Sequence, residues 1–144
     1  TDIEITRFNI SLADGVSLVL KALSISIGGE IFVPKIPSYK ITDVANAIGP
    51  DCKYEITGIR PGEKLHEEMI TASDSSNTID LGKIYAILPS SSNHSYEKYC
   101  EILGGKKVDE GFSYNSGSNP EFLTVEEIRK LVIEFVDHPE AKNI

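Results

Sequence analysis

Cysteine is scarce in this 144-residue sequence: Cys52 and Cys100 are the only two, and they form neither a CxxC nor any other metal-ligand spacing. Two thiols in a chain of this length read as buried residues of a reducing, cytosolic compartment, not as a disulfide framework. Long apolar runs are missing as well. No stretch approaches the ~18–20 residues of a membrane helix, and no charged-then-apolar leader opens the sequence. Positive charge is the minority, with 14 Lys and Arg against 22 Asp and Glu. The resulting net charge of −8 argues against nucleic acid or an anionic membrane as a partner. Familiar catalytic signatures are absent too: no GxGxxG or GxxGxxG dinucleotide turn, no GxxxxGKS/T phosphate loop and no GxSxG nucleophile elbow. His66-Glu67-Glu68 starts like a zinc-protease helix, but Ile70 stands where the second histidine is needed. No tyrosine has a lysine four residues on, which excludes the common Tyr/Lys proton-transfer pair. What remains is an ordinary globular composition, 40% hydrophobic and 25% charged, long enough for one domain with a core. Any chemistry this chain takes part in has most of its machinery elsewhere.

No internal repeat is visible, and helix and strand signals alternate. Thr6–Ile10 reads as an extended stretch, and Ser11 with Asp14 as the capped start of a helix. Leu12, Val16, Val19, Leu20, Leu23 and Ile27 fall on one face of that helix, which Gly28-Gly29 stops. Ile31-Phe32-Val33 is a short buried-strand pattern closed by Pro34. Ile41, Val44, Ala45 and Ile48 mark a second helix, ended by Gly49-Pro50. Cys52, Tyr54 and Ile56 alternate with polar residues, a strand periodicity. A loop over Gly58–Lys64 precedes a short helical segment, Leu65–Ile70, and a polar loop, Thr71–Asn77. Thr78–Leu81 and Lys83–Leu88 flank Gly82 as a tight hairpin. Tyr96–Leu103 reads as a helix stopped by Gly104-Gly105. Thr124 and Glu127 form a capping box before a last helix whose stripe is Val125, Ile128, Leu131, Val132 and Phe135. The class is mixed α/β.

The most informative segment is Gly58-Ile59-Arg60-Pro61-Gly62-Glu63-Lys64. Pro61 and Gly62 force a turn after a strand, so Arg60 and Glu63 project from a rigid corner. An arginine there can grip a phosphate through two parallel hydrogen bonds, and a carboxylate three residues on can accept from both ribose hydroxyls. The plain alternative is a solvated turn whose Arg and Glu pair with each other. Arg7, at the edge of an apolar stretch, is a second anion-binding candidate beside the ordinary surface arginine. Lys35, Lys40 and Lys64 read as solvated charges that can soften an acidic field. His66, His94 and His138 share no spacing, and only His66, in a charged segment, is a candidate. Phe112-Ser113-Tyr114-Asn115-Ser116 reads as an aromatic loop pinned to the core.

Three strings occur in order: Thr6-Arg7-Phe8, Gly28-Gly29-Glu30-Ile31-Phe32-Val33-Pro34-Lys35-Ile36-Pro37-Ser38, and Gly58-Ile59-Arg60-Pro61-Gly62-Glu63-Lys64-Leu65-His66-Glu67. With the later Gly111-Phe112-Ser113-Tyr114 and Asn119-Pro120, they closely resemble the C-terminal portion of the inverting UDP-N-acetylglucosamine 4,6-dehydratases. These are extended short-chain dehydrogenase/reductases of the polysaccharide-biosynthesis group. The resemblance is strongest over residues 1–70 and looser over Thr71–Lys107. That family usually has Trp after the Thr6-Arg7-Phe8 triplet where this chain has Asn9, a departure that touches local packing more than ligand contact.

The resemblance implies an α/β fold, the C-terminal substrate-binding part of an extended short-chain dehydrogenase/reductase that lacks most of the Rossmann domain. Residues 1–35 would be a strand–helix–strand completing that nucleotide-binding domain, and residues 36–144 the UDP-sugar-binding part. The strand Glu30–Pro34 would then be an orphan with an unpaired edge. Carried over residue by residue, Thr1 lies near the uridine, Arg7 and Arg60 pair with the diphosphate, and Glu63 holds the ribose. Catalytic and cofactor-binding residues belong to the N-terminal domain and none is expected here; nor is a metal. The full-length enzyme would be an NADP-dependent lyase, and this chain alone would bind no NADP and be inactive. Expected partners are a UDP-sugar, the N-terminal nucleotide-binding domain and further copies in a homo-oligomer, in the cytoplasm, with no nucleic acid or membrane. A related UDP-sugar epimerase or reductase of capsule synthesis, and a non-catalytic UDP-sugar-binding or interaction module, are the alternatives.

Overall fold

A computed structural model of the chain describes residues 2–91 and 94–137. In chain order the elements are β1 (Thr6–Phe8), α1 (Leu12–Ile25), β2 (Ile31–Pro34), β3 (Ser38–Lys40), α2 (Ile41–Ile48) and β4 (Glu68–Ile70). A 3₁₀ turn (Ala72–Asn77), β5 (Thr78–Asp80), β6 (Ile84–Ile87), α3 (Tyr96–Leu103), β7 (Lys106–Lys107), β8 (Tyr114–Asn115) and α4 (Val125–Asp137) follow. This is the mixed α/β class read from the sequence. The chain divides into two compact units, one of residues 1–9, 37–67 and 116–144 and the other of residues 10–36 and 68–115.

In the first unit, β1 and β3 form an antiparallel ribbon that pairs Thr6 with Lys40, Arg7 with Tyr39 and Phe8 with Ser38. Its inner face is held by buried polar groups, since Ser38 and Asn119 are both buried and the Asn119 amide donates to Ser38 Oγ at 2.9 Å. The helix α2 leaves β3 directly and packs against α4, with Ala47 and Ile128 buried between them. Arg129 of α4 donates to the carbonyls of Ala47 and Asn46 at 3.3 and 3.4 Å, a cation satisfying the last carbonyls of α2. The expected capping box starts α4: the Thr124 N–H donates to the Glu127 carboxylate at 2.8 Å, and the Glu127 N–H returns to Thr124 Oγ1. Those backbone and hydroxyl bonds from Thr124 hold the Glu127 carboxyl below its ordinary range. The cap is therefore intact above that range and loosens as pH falls through it. Of the stripe expected on α4, Ile128 is buried, Val125 and Val132 are half-buried and Leu131 is exposed; the Phe135 side chain lies outside the described residues.

The second unit is built on an antiparallel sheet in the order β2-β6-β5-β7. The hairpin about Gly82 forms as expected, with Ile79 opposite Ala86. Ile79, Ala86, Leu88 and Tyr99 make the core between this sheet and α3. Tyr114 pins the aromatic loop, its hydroxyl accepting from the Ile36 N–H and donating to the Ile36 carbonyl, both at 2.9 Å. Ser11 caps α1 through Asp14 as the sequence indicates, with the Asp14 N–H donating to Ser11 Oγ at 3.0 Å.

Five readings are corrected. The alternating stretch 52–57 pairs with no strand among the described residues; Tyr54 and Ile56 are exposed, and alternation makes a strand only where a neighbour completes the ladder and a layer covers one face. Leu65–Ile70 is not helical: its end is β4, which pairs with β8 across a distance in sequence that local periodicity does not register. Thr71–Asn77 is a capped 3₁₀ turn rather than a plain loop, closed by the Thr71–Asp74 capping box. Neither cysteine is buried, Cys52 being exposed and Cys100 half-buried. The helix α1 forms where expected, yet it buries none of its residues; Leu12 is 86% and Leu23 75% exposed. Beside it in the same unit, β2 is not the orphan expected, because β6 within this chain pairs with it antiparallel; it still stands at the end of its sheet, and Ile31 is 61% exposed.

Candidate functional site around Arg7 and the Arg60–Glu63 turn

The turn that Pro61 and Gly62 announce is present. The Glu63 N–H donates to the Arg60 carbonyl at 3.0 Å, and Gly62 takes a φ of +81°, the left-handed position that a type II turn reserves for glycine. Glu63 then reaches back, its Oε2 accepting the Arg60 backbone N–H at 3.1 Å. The Arg60 and Glu63 side chains therefore do not neutralise each other. The Arg60 guanidinium is exposed and has no hydrogen-bond or ion-pair partner among the described residues.

Arg7 projects from β1 toward the same turn. One guanidinium nitrogen, Nη1, donates to the carbonyls of Thr6 (2.7 Å) and Leu65 (3.3 Å), which fixes the plane of the group. Its other nitrogens face two carboxylates, Nε at 3.4 Å from Glu67 Oε1 and Nη2 at 4.0 Å from Glu63 Oε1. The side chain is only 22% exposed. A cation oriented by two carbonyls and met by loosely placed carboxylates is suited to exchange one of them for an anionic ligand, because the oriented fork is already in place.

Behind Arg7 lies a polar lock that the sequence does not announce. Ser116 Oγ accepts from the Glu67 N–H at 2.9 Å and donates to the Thr6 carbonyl at 3.1 Å. Thr6 Oγ1 touches both Ser116 Oγ (2.7 Å) and His66 Nδ1 (2.8 Å). Thr6 and Ser116 are buried, so the lock fixes β1 against the strand-like segment that carries Glu67. Gly117 lies close against the His66 ring, where an added Cβ would fall 2.6 Å from Cγ and Nδ1. Gly117→Ala is therefore expected to push the ring off Thr6 Oγ1. It should cost about 1 kcal/mol of unfolding free energy, the low end for overpacking because the half-buried ring can yield. Chemical denaturation measures this; a change of a few tenths or less would show that the ring contact is slack.

Of the residues singled out in the sequence, Arg7 and Glu63 are brought together, Arg60 stands on the same turn with its side chain in solvent, and Thr1 and His138 lie outside the described residues. Lys35 belongs to the other unit, where it pairs with Asp80 at 2.7 Å and covers the Tyr85 ring. His94 is exposed. Glu67 and the Thr6–Ser116 pair were not singled out. The only local hint for Glu67 is that it follows Glu63 by four residues.

The model of a family described as polysaccharide biosynthesis protein matches residues 1–89, which include Arg7, Arg60, Glu63, His66 and Glu67. The chain belongs to this polysaccharide biosynthesis protein family. It is 46% identical over 98% of its length to the UDP-N-acetylglucosamine 4,6-dehydratase (inverting) of Campylobacter jejuni, of which it covers 42%. It is 36% identical over 92% of its length to the UDP-glucose 4-epimerase of Rickettsia akari, covering 40% of that protein. Among solved structures, Pen from Bacillus thuringiensis superposes with a TM-score of 0.71 and 26% identity, over 93% of this chain and 40% of that one. The chain thus spans about two-fifths of the length of these relatives.

Proposed function

We propose that this chain is the UDP-sugar-binding part of an NADP-dependent UDP-N-acetylglucosamine 4,6-dehydratase of the inverting type, acting in polysaccharide biosynthesis. The observation that carries the reading is the Arg7 cluster, an oriented guanidinium beside a rigid turn that presents Arg60 and Glu63, in a chain similar over nearly its whole length to such an enzyme. Arg7 and Arg60 meet the diphosphate and Glu63 accepts from the ribose; Thr1 completes the uridine end. The hydride chemistry of such a reaction is supplied by NADP. The residues here do not fit that cofactor: the sequence has neither a glycine-rich dinucleotide turn nor a Tyr/Lys pair. This chain contributes the grip on the nucleotide, and by itself it turns nothing over.

Residues 1–35 are read as completing a nucleotide-binding domain and residues 36–144 as the UDP-sugar part. The bare apolar face of α1 and the free edge of β2 support that reading, because an exposed apolar helix beside an open strand is a surface made to be covered. Partners are accordingly that domain, the UDP-sugar and other copies of the protein, in the cytoplasm. No helix among the described residues is long and apolar enough to cross a membrane. The similarity to UDP-glucose 4-epimerases favours a second reading, the same nucleotide grip serving an epimerase. Turnover of UDP-N-acetylglucosamine by the chain reunited with a nucleotide-binding domain separates the two by product.

Titration of the chain with UDP tests the grip. Saturable binding is expected, weakened about tenfold in Arg60→Ala, the loss of one exposed charge-assisted contact. Absence of UDP binding, or equal affinity in the variant, would overturn the assignment.

A further inference from the structure

Thr6, Ser116 and His66 form a chain of hydrogen bonds whose protons satisfy every contact in one direction only. Ser116 Oγ carries a single proton, and its donation to the Thr6 carbonyl at 3.1 Å spends it. The 2.7 Å contact between the two hydroxyls is therefore made by the Thr6 proton, with Ser116 Oγ accepting. Thr6 Oγ1 then has no proton left for the ring, so its 2.8 Å contact with His66 needs a proton on Nδ1. In the reverse order Ser116 would donate to Thr6 Oγ1 and Thr6 to the ring, and the bond from Ser116 to the Thr6 carbonyl would go unmade. Thr6 and Ser116 are 3% and 0% exposed, and a lost hydrogen bond counts most where water cannot replace it.

This chain ends on Arg7. The Thr6 carbonyl that accepts from Ser116 also accepts from Arg7 Nη1 at 2.7 Å, which fills both of its lone pairs. The Leu65 carbonyl, the other acceptor of Nη1, takes the Thr6 N–H at 3.0 Å. Ser116 Oγ also accepts the N–H of Glu67, whose carboxylate faces Arg7 Nε. Both carbonyls that set the plane of the guanidinium are thus themselves tied to Thr6 or Ser116. On the reading of Arg7 as the diphosphate contact, we propose that Thr6 and Ser116 are positioning residues for Arg7, locked in that arrangement by His66 in its Nδ1–H form. His66 then serves as a hydrogen-bond donor to the protein, and the buried hydroxyls carry its orientation to the Arg7 fork.

Thr6→Val keeps nearly the same shape and removes the hydroxyl. It should weaken UDP binding about fivefold, the net worth of roughly one hydrogen bond, and leave uridine binding unchanged. Thr6→Ser, which retains the hydroxyl, should restore the ratio of UDP to uridine affinity. Lower stability with an unchanged ratio in Thr6→Val would make Thr6 a structural residue only and overturn the proposal. Nitrogen-15 NMR of the neutral imidazoles in the wild-type chain reads the proton directly, and it decides the matter if Thr6→Val fails to fold. The His66 signal, identified by its absence from His66→Gln, is expected in the Nδ1–H form, against the Nε2–H form that a free histidine side chain favours. An Nε2–H ring would overturn the proposal, because the protons would then run away from the Thr6 carbonyl. Absence of UDP binding by the wild-type chain is a separate result: it removes the diphosphate grip itself, and the positioning role with it.

Discussion

Arg7→Ala is expected to weaken UDP binding by roughly thirty- to a hundredfold, about 2–3 kcal/mol, the range for truncating a hydrogen bond to a charged group. Two effects add. The diphosphate loses an oriented fork, and the Glu63 and Glu67 carboxylates, now 4.0 and 3.4 Å from a guanidinium, are left facing the ligand without a cation between them. Arg7→Lys keeps the charge but not the planar fork, and should fall between the variant and the wild type. Because Arg7 also donates to the Thr6 and Leu65 carbonyls, Arg7→Ala will lower stability as well, so affinity alone does not isolate the phosphate contact. The ratio of UDP to uridine affinity does. A diphosphate contact predicts that this ratio collapses in the variant while uridine binding changes little. If both ligands weaken equally, Arg7 only braces the fold.

The geometry around Arg7 is only half legible in the sequence. The Arg60–Glu63 turn could be read because Pro61 and Gly62 act locally, each restricting its own backbone. That Glu63 spends one oxygen on the Arg60 N–H rather than on its guanidinium could not, because a spacing of three does not say which group of Arg60 is met. Glu67 reaches Arg7 from far along the chain, as Ser116 reaches Thr6, and such pairings have no period to betray them. The same division runs through the fold. Helix α1 was legible down to its Ser11–Asp14 cap, a contact made within one turn. The Glu68–Asn115 pairing of β4 with β8 was not, and Leu65–Ile70 passed for a helix because its charged and apolar residues suit either state locally. The apolar stripe of α1 marks a face that wants covering. It carries no statement of what covers it, and among the described residues nothing buries it.

Leu20→Lys with Leu23→Lys turns that stripe into the second large expected effect. Both residues are well exposed and lie one turn apart on α1, and lysine matches leucine in helix propensity. The chain alone should therefore keep its unfolding midpoint, with a stability change within about 0.5 kcal/mol, as for surface substitutions generally. Association with a nucleotide-binding domain should respond very differently. Covering a leucine is worth about 1.5–3 kcal/mol, so losing two such contacts corresponds to at least a hundredfold in affinity, before the cost of stripping water from two ammonium groups. The measurement supplies the remaining N-terminal part of the Campylobacter jejuni relative in trans and follows complex formation by sedimentation. Wild-type chain should bind it and the double variant should not, at equal secondary-structure content. Binding that survives both lysines would move the docking surface off α1 and leave the free edge of β2 to account for it. No binding by either chain would remove the two-part architecture itself.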